Sequence, residues 1–142
     1  MPLLRSAMRF PYRGAGIGLV KGDSILLGIR SKKPFVGMWS VPGGGREKGE
    51  TYLEDAKREF LEETGCDMDK LDCTYLGSWT LSVPPFFHWT TFFFDAKSFD
   101  MELRPSEFSR LEWVGFDRIP KLKCRPFTRF EMAKAKRLVG RF

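Results

Sequence analysis

Four carboxylates, Asp55, Glu59, Glu62 and Glu63, stand within nine residues of one another near the middle of the chain. On a helix turning about 100° per residue they share one face. Like charges at such spacings repel, by a few tenths of a kcal/mol per pair. Something positive must offset them. Arg58 is one source, four residues from both Glu54 and Glu62. A hard divalent cation offsets far more, because Mg2+ takes oxygen ligands and is held by carboxylates together with substrate phosphates. The chemistry such a face offers is the holding of a divalent cation together with the phosphates of a substrate.

Two elements must position these acids. The first is the helix itself, whose pattern runs from Thr51 to Thr64. Thr51 and Glu54 have the spacing of a capping box, and Gly65 suits the residue that ends the helix. Leu53, Ala56 and Phe60 form an apolar stripe beside the acidic face, so burying the stripe leaves the acids at the rim of the core. The second is the loop from Pro42 to Gly49, which holds four glycines. Glycine permits a sharp path whose amides and carbonyls can turn toward a metal or phosphate.

Around these two elements the chain reads as alternating strands. Gly14–Val20 and Ile25–Ile29 look like a hairpin across a Lys21–Ser24 turn. A basic loop from Arg30 to Met38 leads to a short strand, Trp39–Val41, ended by Pro42 and Gly43–Gly45. Cys73–Val83 and Phe86–Ala96 read as two further strands joined at Pro84-Pro85, and Arg110–Val114 as another. Pro126–Val139 reads as a C-terminal helix, with Thr128 and Glu131 as a second capping box. The mixture is α+β, and residues 1–142 read as one domain.

From Gly44 to Cys66 the sequence matches G-x5-E-x7-R-E-U-x-E-E-x-G-U, where U is a bulky aliphatic residue. Its seven fixed positions are Gly44, Glu50, Arg58, Glu59, Glu62, Glu63 and Gly65. At background frequencies near ~7% each, a chance match per chain is on the order of 10⁻⁶. Phe60 and Cys66 stand at the two U positions, hydrophobic but not aliphatic. The chain thus resembles the Nudix hydrolase family, the MutT-like enzymes. Its stretch from Leu26 to Gly44 also has some local resemblance to the GDP-mannose hydrolase branch.

That resemblance implies an α/β/α sandwich with a central mixed β-sheet and a loop-helix-loop metal site. It implies a pyrophosphohydrolase using Mg2+, with Mn2+ as a second possibility. Glu59, Glu62 and Glu63 take the places of the family's metal ligands, with the Gly43 carbonyl as backbone ligand. Glu50 and Arg58 take those of the residues bracing loop against helix, and Gly65 is structural. Glu107 takes the place of the extra glutamate that serves as ligand or base, with Glu112 as its rival. Arg30 is a candidate phosphate clamp, because guanidinium binds phosphate oxygens as a fork. Trp39 and Gly44 complete the candidate substrate contacts. His88, the only histidine, reads as structural more than catalytic.

The intact motif favours attack at phosphorus over attack at a sugar carbon. The expected substrate is a nucleoside triphosphate or a nucleotide sugar. A 5′ end of RNA is the second partner considered, supported by the net charge of +6 and by a basic C-terminal segment from Lys121 to Arg141. That reading expects a basic stripe continuous with the metal site. A non-catalytic nucleotide-binding module is the third. A homodimer is left open. Cys66, Cys73 and Cys124 make an odd count without a C-x-x-C pair, which fits a reducing cytoplasm. No signal peptide or apolar run of about 20 residues is read, so no membrane partner is expected.

Overall fold

A computed structural model describes residues 10–32, 35–100, 102–106 and 108–140. The strands are β1 (Tyr12–Lys21), β2 (Ser24–Arg30), β3 (Trp39–Ser40), β4 (Gly43–Gly45), β5 (Cys73–Val83), β6 (Phe87–Ala96) and β7 (Phe108–Gly115). The helices are α1 (Tyr52–Thr64) and α2 (Thr128–Val139), with short 3-10 turns at Met68–Lys70 and Ile119–Lys121. The strand order is β3-β2-β1-β6-β5, with β4 added to β1 and β7 to β2. β1 and β6 run parallel while the other pairs are antiparallel, so the sheet is mixed.

The sheet lies between two apolar layers. On one side Ala56 and Phe60 of α1 pack with Ala15, Ile17, Leu19 and Leu26. On the other, Met132 and Ala135 of α2 pack with Val20, Ile25, Trp89 and Phe93. β1 is therefore buried on both faces from Gly14 to Val20, where alternation alone reads as one buried face. Its glycines are there for space. A Cβ on Gly16 would lie 2.9 Å from the Trp89 ring, and one on Gly18 2.4 Å from Phe93. Each glycine gives its place to an aromatic ring from β6.

Along one edge β1 changes partner. Val20 and Lys21 pair with β2, but Gly14, Ala15 and Gly16 pair with Gly45, Gly44 and Gly43 of β4. Gly43–Gly45 thus form a strand of their own, where the sequence reads as a strand terminator. Glycine facing glycine lets the two backbones approach closely. This split edge brings the glycine strand beside α1.

The capping box on α1 is formed. Thr51 Oγ1 accepts the Glu54 amide at 3.1 Å, and Glu54 accepts the Thr51 amide at 2.8 Å. Gly65 ends the helix with φ 77°, a left-handed conformation that costs glycine little. The second expected box is absent. Phe127, with φ 66°, precedes the first turn of α2 and supplies no side-chain cap. Thr128 and Glu131 are instead buried within the helix. Glu131 turns into the core rather than back toward the helix end. It pairs with Arg125 at 3.2 Å and accepts the Thr91 hydroxyl.

Candidate functional site

The acidic face of α1 turns toward β4. Asp55 is fully buried, Glu63 has 1% exposure and Glu59 8%, while Glu62 stands at the surface. The sequence places these acids at the rim of the core; in the fold, three of the four lie inside it. Arg58 binds the group together. Its Nε donates to Glu50 Oε2 at 2.7 Å, and Nη2 to Glu50 Oε1 at 3.1 Å. Nη2 also donates to the Gly45 carbonyl at 3.0 Å and to Asp55 at 3.1 Å. Nη1 donates to Glu59 at 3.1 Å and Glu62 at 3.3 Å. So Glu50 and Arg58 do tie the loop to the helix. Of the two helical partners expected for Arg58, Glu62 is one; Glu54 serves the cap instead.

These pairings set the protonation of the group. The Arg58 hydrogen bond, more than any other cause, holds the Glu50 carboxyl below its usual range. The same bond, together with the surrounding carboxylates, keeps Arg58 firmly protonated against the effect of burial. Burial pushes Asp55 up to about 8, with the Glu59 charge adding to the shift and Arg58 opposing it.

β4 presents its backbone to these acids. Arg46 donates its amide to Arg13 of β1, and Pro42 accepts the Ile17 amide, so Gly43 and Gly45 face the other way, as alternate residues on an antiparallel strand do. The Gly43 amide accordingly reaches Glu63 Oε2 at 3.4 Å, and the Gly45 carbonyl takes Arg58. A Cβ on Gly44 would lie 2.6–2.7 Å from the Glu59 carboxylate. Glycine at 44 thus lets Glu59 lie against the strand.

Among the described residues, no three His, Cys, Asp or Glu side chains are arranged to hold a metal ion as they stand. The donor chemistry nevertheless fits a hard divalent cation. Every candidate ligand is an oxygen, most are sheltered from solvent, and Arg58 Nη1 already places positive charge between Glu59 and Glu62.

Tyr12 joins this site to the other face of the sheet. Burial raises its phenol pKa, and the charges of Arg125, Asp55, Glu59 and Arg30 all act on it. Arg30 therefore lies within electrostatic reach of the same phenol as the α1 acids. On the α2 side, Tyr12 stacks on Phe87, and Phe87 and Trp79 both contact Phe127. Arg125 lies between Trp89 and Phe127, 4.6 Å and 4.5 Å from the ring centroids. Tyr12, Trp79, Phe87 and Phe127 are half-buried, so their rings keep part of their surface open to solvent.

Trp39 is a correction. It packs in the core with 8% exposure, and its backbone joins Lys123 and Arg125. A large ring is worth more buried there than offered to a ligand. Glu107 lies outside the described residues. Its rival Glu112 pairs with Arg118 and Arg110 at 3.0 Å each. Glu112 lies on the β7 face shared with Val114, which packs in the α2 layer; the α1 acids are across the sheet. His88 stacks on Tyr52 at 4.5 Å and meets Thr90 Oγ1 at 3.2 Å. Asp55 belongs to the site more fully than its spacing shows. Tyr12 and the Arg125–Glu131 pair carry no sequence signal, since Arg125 is one cation in a basic run.

The NUDIX domain family model matches residues 11–135. The chain is 36% identical over 80 residues to an m7GpppN-mRNA hydrolase, NUDT17, of Xenopus laevis; the match covers 51% of this chain but only 27% of that protein. It is 29% identical over 135 residues to an RNA pyrophosphohydrolase of Erythrobacter litoralis, covering 81% and 82% of the two chains. The fold matches a C. elegans Ap4A hydrolase with a TM-score of 0.76 at 20% identity, covering 92% of this chain and all of that one (100%).

Proposed function

The chain belongs to the NUDIX domain family, and from that premise we propose that it is a Mg2+-dependent hydrolase of a phosphoanhydride bond in a nucleoside diphosphate derivative. The observation that carries this reading is the buried acidic face of α1, gathered by Arg58 against the backbone of β4. Glu59, Glu62, Glu63 and the Gly43 carbonyl would hold the ion. When bound, it screens the phosphate oxygens and lowers the pKa of the attacking water. Glu59 accepts or orients the water proton, a role for which Glu107 remains the alternative. Arg30 clamps a phosphate. Arg58 and Glu50 keep loop and helix in register. The half-exposed rings of Tyr12, Phe87, Trp79 and Phe127 form a platform for the base. The three free cysteines fit a reducing compartment, which we take to be the cytoplasm; among the described residues no helix is long and apolar enough to cross a membrane.

The substrate is a nucleoside triphosphate or nucleotide sugar in this reading. A second reading, a 5′-phosphorylated RNA end, is favoured by the exposed Arg13 and Arg46 beside the β4 loop and by likeness to the Erythrobacter litoralis RNA pyrophosphohydrolase. The basic C-terminal segment does not supply the stripe expected for it. Arg125 is buried, and α2 packs across the sheet from α1. Phosphate release with Mg2+ and with chelator tests the proposal, on nucleoside triphosphates, nucleotide sugars, ADP-ribose, dinucleoside polyphosphates and 5′-triphosphorylated RNA. Metal-dependent turnover of one group supports it and fixes the class. Silence from folded, metal-bound protein favours a binding module.

A further inference from the structure

On the α1 side of the sheet, the ends of β1 and β6 meet the loop before α1. Arg13 stands opposite His88 in the parallel ladder, and its carbonyl accepts the Arg46 amide at 2.8 Å. The Arg46 guanidinium lies over the Tyr52 ring, 4.9 Å from the centroid. Tyr52 stacks in turn on His88, with centroids 4.5 Å apart and planes inclined by 26°. Guanidinium, phenol and imidazole thus form three layers with a second arginine alongside. Arg13 and Arg46 are exposed, and Tyr52 and His88 half-exposed.

Two exposed arginines bring positive charge to this stack. Besides burial, Arg13 and Arg46 act on His88, and both lower its pKa. The neighbouring acids have partners of their own, and Glu50 also feels the Arg46 charge. Glu50 grips Arg58, Glu54 caps Thr51, and Glu47 lies 3.7 Å from Arg58. A row of hydroxyls borders the stack, Thr80 bonding to Thr90 at 2.9 Å and Thr90 to His88. The patch is continuous with the acidic site, because Arg46 follows Gly45 in the chain and Tyr52 opens the helix that carries Glu59. Glu59 lies seven positions along the helix from Tyr52, a rise of about 10 Å.

Cations interleaved with planar rings meet the two needs of single-stranded nucleic acid, phosphate neutralisation and base stacking. The exposed Thr80 hydroxyl and the imidazole beside them suit a 2′-hydroxyl, which only RNA carries. We infer that Arg13, Arg46, Tyr52 and His88 form a binding surface for the RNA strand that continues from a phosphorylated 5′ end held at the α1 carboxylates. This rests on reading those carboxylates as the hydrolytic centre and deepens the second substrate reading. In this reading a mononucleotide lays its base on the rings of Tyr12, Phe87, Trp79 and Phe127 and leaves the patch uncovered.

The test uses a labelled eight-nucleotide single-stranded RNA bearing a 5′-monophosphate, followed by fluorescence anisotropy across a salt series. This probe has no phosphoanhydride, so binding is read apart from hydrolysis. Arg13→Ala is expected to weaken RNA binding several-fold and to make the log–log salt slope shallower by about 1. His88→Leu is expected to weaken it about fivefold or more through lost stacking. Turnover of the best mononucleotide substrate should stay at the wild-type rate in Arg13→Ala. Wild-type affinity and slope in Arg13→Ala would overturn the surface, and DNA of the same sequence binding as tightly would overturn its assignment to RNA. A wild type inactive on every phosphoanhydride would instead overturn the hydrolytic reading beneath it.

Discussion

Gly44→Ala separates the chemistry of the site from its folding. Residue 44 is not among the glycines with positive φ, so alanine adopts its backbone without strain. The added Cβ would lie 2.6 Å from Glu59 Cδ and 2.7 Å from both carboxylate oxygens, where ordinary contact begins at 3.4 Å. The Glu59 carboxylate must therefore retreat by about 0.8 Å, and a misplacement of about 1 Å in a reacting constellation can cost on the order of 10²-fold in rate. That is about 2.7 kcal/mol of transition-state stabilisation. The retreat also strains the Arg58 Nη1 bond to Glu59, now 3.1 Å long. Stability should fall less, because the group that yields is the end of a side chain; overpacking sets a ceiling of about 1–3 kcal/mol. The assay is kcat at saturating Mg2+ on the best substrate of the panel, beside a thermal melt. A hundredfold loss of kcat with a melting point a few degrees lower is expected. Activity within threefold of wild type would refute the placement of Glu59, and an unfolded variant would refute the claim that the space is cheap to fill.

Other perturbations test other links. Glu131→Ala breaks a buried ion pair and should cost about 3–5 kcal/mol by chemical denaturation; a loss near ~1 kcal/mol would restore its reading as a helix cap. Arg58→Lys keeps the charge but cannot reproduce the forked contacts to Glu50, Gly45 and Asp55, so kcat should drop at least about tenfold with RNA-patch binding unchanged. Glu50 has a depressed folded pKa, so its contribution to stability is present above the unfolded value near ~4.3 and lost as pH falls through the folded value. Glu50→Gln should accordingly flatten the acid limb of a stability profile, and a limb identical to wild type would contradict the Arg58–Glu50 assignment.

Much of the site could be read from the sequence because it is local. The capping box, the helical spacing of Glu59, Glu62 and Glu63, and the Glu50–Arg58 pairing all lie within one loop and one helix. Chain-local geometry constrains them directly. What could not be read depends on contacts distant in sequence. Gly43–Gly45 become a strand only because Gly14–Gly16 lie opposite. Thr128 and Glu131 have the spacing of a cap, yet Arg125 and Thr91 draw Glu131 into the core. Trp39 suits a ligand platform by type alone, and its partners at 123–125 become neighbours only in the folded chain. Arg13 and Arg46 are 33 positions apart in the sequence and meet through one backbone bond between β1 and the residue after β4.

The central claim is that the buried acids of α1 form a hydrolytic centre. Its most direct test compares initial rates of the wild type and Glu63→Gln at saturating Mg2+ on the best substrate of the panel, with melting points measured alongside. Glutamine preserves the shape of a side chain that is 1% exposed and removes only its charge. The account predicts that turnover is abolished while the protein remains folded. Metal-dependent turnover that survives in Glu63→Gln would contradict it.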